Sequence, residues 1–229
     1  MKLDLIQQHI REFVAFLETR ESGDHLFKYA MLSHFRQVWT YDTEDFAAMY
    51  DRALQSDVTR RWWKREGYRP KEVMLLLIHA EPQYARQAFK ELFNEQHQVE
   101  NRIDRFIFYC DEILKLHKRL NPRDITNNHN QDSAILSFYL GAMYPDQYTL
   151  YPGRLIFNRG LIALGAQGTG EKDDLPRFFK LSRTIYQYLI KEPSVIALID
   201  NGLRPAGDLL LAHEWFLYTA RAWHEMAAR

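Results

Sequence analysis

Hydrophobic residues recur every three or four positions along most of the chain, which is the spacing of one face of an α-helix. The first such stripe consists of Leu3, Ile6, Ile10, Phe13 and Leu17. The longest stripe covers about six turns and consists of Val99, Ile103, Phe106, Cys110, Ile113, His117 and Leu120. These patterns predict long amphipathic helices that bury one side.

Helix boundaries are marked by prolines and small polar residues. Pro70 and Pro82 each precede an apolar run, as expected for a proline in the first turn of a helix. Thr43 precedes a short amphipathic segment as a candidate N-cap, and Asp132 or Ser133 can cap a helix over Ala134–Met143.

The pattern typical of strands is almost absent from the sequence. Only Tyr148–Tyr151, which is aromatic and β-favouring, is predicted to be extended. The glycine-rich stretch 165–174 predicts a linker between a helical body, residues 1–164, and a smaller C-terminal helical subdomain, residues 175–229. The sequence therefore predicts a predominantly all-α fold, a multi-helix globular bundle.

Composition narrows the class of protein. The chain has 229 residues, with 30 Lys and Arg balanced by 30 Asp and Glu, so no overall positive field attracts polyanions. A lone cysteine, Cys110, excludes a disulfide framework and a cysteine-based zinc site. No apolar run approaches the ~20 residues that span a bilayer, and the N-terminus lacks the apolar core of a signal peptide. We therefore expect a cytoplasmic protein without membrane contact.

Two enzyme motifs are nearly present. Gly165 and Gly170 have the spacing of a P-loop, but Glu171 stands where that motif needs its lysine. His213 and Glu214 begin a zinc-protease motif that Leu217 leaves incomplete, so we interpret His213 as a packed, hydrogen-bonded histidine. We expect no catalytic residue, no resident metal and no cofactor, and we treat a metal-dependent enzyme using His129 or the His213/His224 face as the weakest hypothesis.

The strongest local anomaly is a basic, aromatic segment between residues 60 and 71. It carries six cations and one acid, a formal charge of +5 in a neutral chain. Cations can neutralise phosphates, and aromatic rings can stack on bases or wedge between them. The predicted DNA-binding residues are Arg60, Arg61, Trp62, Trp63, Lys64, Arg65, Tyr68, Arg69 and Lys71. The alternative is that the tryptophans anchor a loop to the core while the cations are merely solvated.

A polar run at residues 127–132 is the second feature. The side chains of His129, Asn130 and Gln131 could contact a base edge or a protein partner. Runs of this kind are more often helix caps and Asx turns, and we favour that interpretation because Asp132-Ser133 directly precedes an apolar helix.

Several short blocks, taken in order, resemble a known family. They are Phe46-Ala47-Ala48-Met49, Arg52-Ala53-Leu54, Glu81-Pro82, Phe89, Leu92-Phe93, Arg102-Ile103, Asn128-His129-Asn130-Gln131-Asp132, Ser137-Phe138-Tyr139-Leu140, Tyr144-Pro145-Asp146-Gln147-Tyr148 and His213-Glu214-Trp215-Phe216-Leu217-Tyr218. Over about residues 27–220 the chain resembles the helical region that precedes the AAA-type motor in McrB-like proteins, the NTP-driven subunits of modification-dependent restriction systems.

The resemblance implies a role in recognition rather than catalysis. In that family the motor hydrolyses GTP or ATP and works with an McrC-like nuclease, whereas the variable N-terminal part is usually assigned to target recognition. No Walker motif occurs before Arg229, so the chain is either part of a longer polypeptide or a stand-alone relative. The implied partners are DNA, including modified duplex, an AAA-type motor in cis or in trans, and an McrC-like nuclease.

Two functional hypotheses follow. The first is a non-catalytic DNA-recognition domain of an McrB-like restriction ATPase or GTPase in anti-phage defence. The alternative is a protein-interaction module that docks the motor, its nuclease partner or a phage component, which would present an exposed apolar surface instead of a basic one.

Overall fold

The computed structural model describes residues 2–19, 23, 26–55, 69–202 and 204–227. All regular secondary structure within those ranges is helical, which confirms the predicted fold class. The helices are α1 (Leu3–Leu17), α2 (Phe27–Val38), α3 (Phe46–Ala53), α4 (Pro70–Ala80), α5 (Pro82–Leu92), α6 (Val99–Leu120), α7 (Ser133–Met143), α8 (Arg154–Ala163), α9 (Leu175–Leu189), α10 (Pro193–Asp200) and α11 (Leu210–Ala227), with a 3₁₀ turn at His129–Gln131.

The chain divides into two compact units. The terminal unit comprises Met1–Ala30 together with Tyr144–Arg229, and the central unit comprises Met31–Met143. Residues 165–174, which the sequence predicts to be a linker, lie inside the terminal unit. The helices on both sides of that stretch, α8 and α9, each pack against α11.

The central unit is built around α5 and α6, which pack along each other. The middle of the stripe predicted on α6, from Ile103 to Ile113, is buried, whereas its predicted last residue, Leu120, is exposed because α6 extends past the core there. The ring of Phe89 on α5 lies across those of Phe106 on α6 and Tyr139 on α7, at centroid distances of 5.2 and 5.1 Å. Pro70 and Pro82 each occupy the first turn of their helix, as predicted, where a missing N–H breaks no hydrogen bond.

The terminal unit packs α1, α8 and α9 against α11. Aromatic rings form its centre, with Phe178 lying 5.3 Å from both Phe157 and Phe216 between ring centroids. A glycine permits the close approach of α8 to α11, because a Cβ atom on Gly160 would lie 2.8 Å from Cδ1 of Phe216. Any side chain at that position would displace the Phe216 ring.

Local details differ from the sequence predictions in places. Asp45, not Thr43, is the N-cap of α3, where its Oδ1 accepts a hydrogen bond of 2.8 Å from the Ala48 N–H. The cap of α7 is Asp132, one of the two predicted candidates. Tyr148–Tyr151 lies in neither a helix nor a strand. Helices α8 and α10 were not predicted as separate elements.

Candidate functional site

Most of the basic segment lies outside the described residues. This applies to seven of the nine predicted DNA-binding residues: Arg60, Arg61, Trp62, Trp63, Lys64, Arg65 and Tyr68. The structure describes the other two, Arg69 and Lys71, together with the chain up to Gln55 on the opposite side. The described part of this candidate site is therefore its two flanks, the chain up to Gln55 and the chain from Arg69.

The two flanks are fastened to each other within the central unit. Lys71 Nζ lies 2.8 Å from Asp51 Oδ1 and 3.3 Å from the Asp51 carbonyl oxygen, so it joins the first turn of α4 to α3. Lys71 is therefore engaged in an internal ion pair. Arg69 has an exposed side chain, while its backbone N–H donates to His129 Nδ1 at 2.9 Å.

The polar turn at residues 127–132 contacts the flank that begins at Arg69, and it does so from the interior of the central unit. Asn130 is fully buried, and its amide nitrogen donates to the Pro70 carbonyl oxygen at 3.2 Å. Its Oδ1 accepts from the Tyr139 hydroxyl at 3.1 Å, and that hydroxyl lies 2.7 Å from the Tyr50 hydroxyl. The chain of contacts therefore runs from α3 and α7 through Asn130 to the first residue of α4.

This geometry assigns different positions to the three predicted contact residues of the turn. The Asn130 side chain is committed to the interior and does not face solvent. His129 is partly exposed, and Gln131 is exposed. Asn128 forms an Asx turn by accepting from the Asn130 N–H at 3.0 Å, and Asp132 Oδ1 accepts from the Ala134 N–H at 2.7 Å, in agreement with the favoured interpretation as turn and cap.

A cleft of about 680 Å³ lies at the C-terminal end of α6. It is lined by Leu76, His117, Asn121, Pro122, Arg123 and Asp124. His117 Nε2 lies 2.8 Å from Asp124 Oδ2. Hydrogen bonds from Thr126 and then from His117 lower the pKa of Asp124 to about 2, so this carboxylate stays ionised and holds the loop against the helix.

Aliphatic side chains project into solvent beside this cleft. Leu120 is 84% exposed and Ile125 is 89% exposed, and Leu116 lies one turn before Leu120 on the same face of α6. We call these three residues the apolar surface. Three cations are close to the apolar surface in sequence: Lys118, Arg119 and Arg123. None of the three forms an ion pair with a described residue.

The His213-Glu214 pair belongs to a buried polar cluster of the terminal unit. His213 Nδ1 lies 2.7 Å from the Leu150 carbonyl oxygen, and because a carbonyl only accepts, Nδ1 carries the proton. Nε2 then accepts from Lys28 Nζ at 2.9 Å. His213 is thus the packed, hydrogen-bonded histidine that its position on the apolar stripe predicts, whereas His224 is exposed.

Charges surround that histidine. Glu214 Oε2 accepts from Arg204 at 2.9 Å, and both side chains are buried. Burial raises the pKa of Glu214, an effect that Arg204 opposes. Burial lowers the pKa of Lys28 to about 8, against an opposing attraction from Glu214. Sequence reasoning missed Lys28 and Arg204, because their partners lie far along the chain or on another element.

The described residues offer little support for metal or thiol chemistry. Nowhere in the described ranges do three or more His, Cys, Asp or Glu side chains group so that they could hold a metal ion. Cys110 is buried in the core of the central unit, and burial raises the pKa of its thiol well above the ordinary value. Its role is to fill space on the α6 stripe.

Comparisons with family models, with curated proteins and with solved structures found no match to this chain. Within the described part of the chain, none of the helices is both long and apolar enough to cross a membrane.

Proposed function

We propose that this chain is a non-catalytic DNA-recognition domain of an McrB-like restriction ATPase or GTPase, acting in anti-phage defence. The proposal rests on the charge of +5 between Arg60 and Lys71 in a chain whose total charge is zero. The neutral total limits nonspecific attraction by the whole protein, while the local excess is suited to phosphate contacts.

The way in which the central unit holds the flanks of this segment also supports the proposal. The Lys71–Asp51 ion pair joins the two helices on either side of it, and the buried Asn130 amide fixes the backbone at Pro70. A frame of this kind reduces the entropy lost when a basic segment contacts a duplex. Arg69, at the edge of the frame, is exposed and faces solvent.

Each residue type in the segment has a separate task under this proposal. Arg60, Arg61, Lys64 and Arg65 neutralise backbone phosphates, with Arg69 extending the contact. Trp62, Trp63 or Tyr68 stacks on a base or wedges into a distorted step, as a reader of modified or deformable duplex requires. Lys71 acts within the protein by holding α4 to α3.

The resemblance to McrB-like proteins supplies the context of this recognition. An AAA-type motor, in the same polypeptide or a separate one, and an McrC-like nuclease would perform the hydrolysis and cleavage. The present chain would supply the choice of target. No catalytic step is assigned to any of its residues.

The direct test is a fluorescence-anisotropy titration of the chain with modified and unmodified duplex DNA at low salt. We expect binding by the wild type and a loss of more than about tenfold in the variant Arg60/Arg61/Lys64/Arg65→Ala, since several phosphate contacts disappear. The matched control is Arg11/Lys172/Lys191/Arg221→Ala, which removes four exposed cations from the terminal unit. Absence of wild-type binding, or equal losses in the two variants, would contradict the proposal.

A second candidate function is the docking of a protein partner, which the apolar surface favours. Leu120 is 84% exposed and Ile125 is 89% exposed, and the neighbouring cations Lys118, Arg119 and Arg123 suit a partner segment that combines aliphatic and acidic residues. The McrB-like motor, the McrC-like nuclease and a phage component are the candidate partners.

This candidate predicts a specific loss of association. The variant Leu116/Leu120/Ile125→Ser should lower the affinity for the purified motor or nuclease by at least about tenfold. The control variant Leu155/Ile162/Ile196→Ser removes three exposed aliphatic side chains from the terminal unit and should leave association unchanged. Equal affinities of the first variant and the wild type would show that the apolar surface does not bind this partner.

A further inference from the structure

A second cleft, in the terminal unit, has the composition of a small-molecule site. It measures about 500 Å³ and lies between the turn after α8 and one face of α9. Leu161 and Leu181, both buried, form its apolar floor. The remaining lining residues are Gly165, Ala166, Gln167, Arg177, Lys180 and Thr184. Ligand pockets are commonly of this size and combine an apolar floor with a few polar groups.

The wall formed by the turn is fixed by its backbone. The Gly165 N–H donates to the Ile162 carbonyl oxygen and the Ala166 N–H to the Leu161 carbonyl oxygen, both at 2.8 Å. Gly165 has a φ of +67°, a left-handed conformation that favours glycine. This turn therefore ends α8 and presents Gln167 across the cleft from α9.

The opposite wall is cationic. Arg177 and Lys180 lie three residues apart on α9 and so on adjacent turns of one face. Arg177 closes one side of the cleft by donating from Nη2 to the Gln167 carbonyl oxygen at 2.8 Å. Neither cation forms an ion pair with a described residue, and no carboxylate is among the residues that line the cleft.

The nearest acid along the chain is already committed. Asp174 caps α9, with its Oδ1 accepting a hydrogen bond of 3.0 Å from the Arg177 backbone N–H. A further cation, Lys2, lies beside the turn, where its backbone N–H donates to the Leu164 carbonyl oxygen at 3.1 Å. The residues that line the cleft therefore carry two positive charges and no negative charge, while the carboxylates of Glu171, Asp173 and Asp174 lie on the adjoining segment that leads into α9.

We infer that this cleft binds a small organic phosphate monoester. Two cations on adjacent helical turns match the charge of about −1.5 to −2 that a phosphate monoester carries at neutral pH. The guanidinium of Arg177 provides planar N–H donors for phosphate oxygens, and Lys180 provides a second point charge. The organic part of the ligand lies against Leu161 and Leu181. This site is separate from the basic segment and does not depend on DNA recognition.

The test is isothermal titration calorimetry of the full chain at low ionic strength with ribose 5-phosphate, ribose and inorganic phosphate as probes. We expect ribose 5-phosphate to bind at least about tenfold more tightly than ribose, since charge-assisted hydrogen bonds to the phosphate are absent for the sugar alone. Inorganic phosphate should compete for the same site. Binding of ribose and ribose 5-phosphate with equal affinity, or of neither, would overturn the inference.

Three variants locate the binding. K180Q, which removes one positive charge, should weaken binding about fivefold, and R177Q/K180Q, which removes two, should weaken it more than about tenfold. Lys180 is exposed, so K180Q keeps the fold even if Arg177→Gln disturbs the turn. Ala166→Trp should also abolish binding by filling the cleft without changing charge.

The matched control is K191Q, which removes an exposed lysine just beyond the end of α9. It should bind ribose 5-phosphate as the wild type does. Equal losses in K180Q and K191Q, or full binding by Ala166→Trp, would show that the phosphate is held by general surface charge and would overturn the assignment of the cleft. Binding of a short duplex without binding of ribose 5-phosphate would overturn it as well.

Discussion

The two units bury polar side chains in different ways. The terminal unit buries opposite charges together, with Glu214 paired to Arg204 and with Lys28 hydrogen-bonded to His213. The central unit buries a neutral chain of groups through Asn130 and the Tyr139 and Tyr50 hydroxyls, and none of the buried side chains among its described residues is a carboxylate. The terminal unit therefore pairs a buried cation with a buried carboxylate, whereas the buried donors of the central unit are satisfied by neutral acceptors.

Buried cations show the same contrast. In the central unit Arg102 Nε donates to the Leu92 carbonyl oxygen at 2.8 Å, and Arg86 donates to the carbonyl oxygens of Tyr41 and Thr43. Backbone carbonyls satisfy these donors at any pH. The neutral network also ends at the Pro70 carbonyl oxygen, so it fixes the backbone at the first residue of α4. The ionic cluster of the terminal unit instead joins Lys28, in the part of α2 that belongs to that unit, to α11.

The largest expected effect comes from breaking the ionic cluster. Glu214→Gln leaves the Arg204 guanidinium buried without its carboxylate, which should lower the free energy of unfolding by about 3–5 kcal/mol. Urea denaturation followed by circular dichroism measures this change. The control is Glu225→Gln, which removes the acid of an exposed i,i+4 pair with Arg221 and should cost less than about 1 kcal/mol. Similar small losses of unfolding free energy in both variants would contradict the claim that the terminal unit depends on its buried ion pair.

The pH dependence of stability tests the same cluster. Burial lowers the pKa of Lys28 to about 8, below its value near 10.5 in the unfolded chain, so the unfolded state binds more protons between these values. The penalty of burying the ammonium is full below pH 8 and is relieved as the pH rises toward 10.5. Relative to that of Lys28→Met, the free energy of unfolding of the wild type should rise by about 2 kcal/mol between pH 7 and pH 10.

Comparing the two proteins removes the contributions that both share, including the buried thiol of Cys110 and the tyrosines. Their urea unfolding curves would be measured at several pH values across that window. Parallel stability profiles for the wild type and Lys28→Met would contradict the assignment of a depressed pKa to this lysine.

A smaller loss is expected when that neutral network is broken. Asn130→Ala leaves the Pro70 carbonyl and the Tyr139 hydroxyl with fewer partners in the interior, which should cost about 2 kcal/mol. The control is Asn127→Ala, an exposed amide in the same loop, which should change stability by less than about 0.5 kcal/mol. Urea unfolding at neutral pH measures the free energy of unfolding of both variants. Equal values would show that the Asn130 side chain does not stabilise the central unit.

Much of the helical fold could be predicted from local signals. The six-turn stripe of α6 and the prolines that begin α4 and α5 are unambiguous because periodicity and proline chemistry act within a few residues. Helix α8 was missed because it follows Gly153, which provides no capping side chain, and because Gly160 interrupts its pattern. That glycine is explained only by the approach of Phe216, which no local pattern contains.

The candidate sites were less predictable for a related reason. The charge of the basic segment is visible in the sequence, but the ion pair that commits Lys71 to Asp51 and the burial of Asn130 depend on packing between distant residues. The buried Lys28 and Arg204 could not be recognised, because charged residues are rarely buried and no periodic pattern marks them. The cleft between the α8 turn and α9 likewise exists only after these elements pack together.

The central claim, that the segment Arg60–Lys71 contacts DNA phosphates, is tested most directly by the salt dependence of duplex binding. The logarithm of the association constant should fall with the logarithm of salt concentration with a slope of about −4 for four to five phosphate contacts. In Arg60/Arg61/Lys64/Arg65→Ala the slope should become shallower by about 3 or more, while Arg11/Lys172/Lys191/Arg221→Ala keeps the wild-type slope. A slope that is the same in all three proteins would contradict the claim.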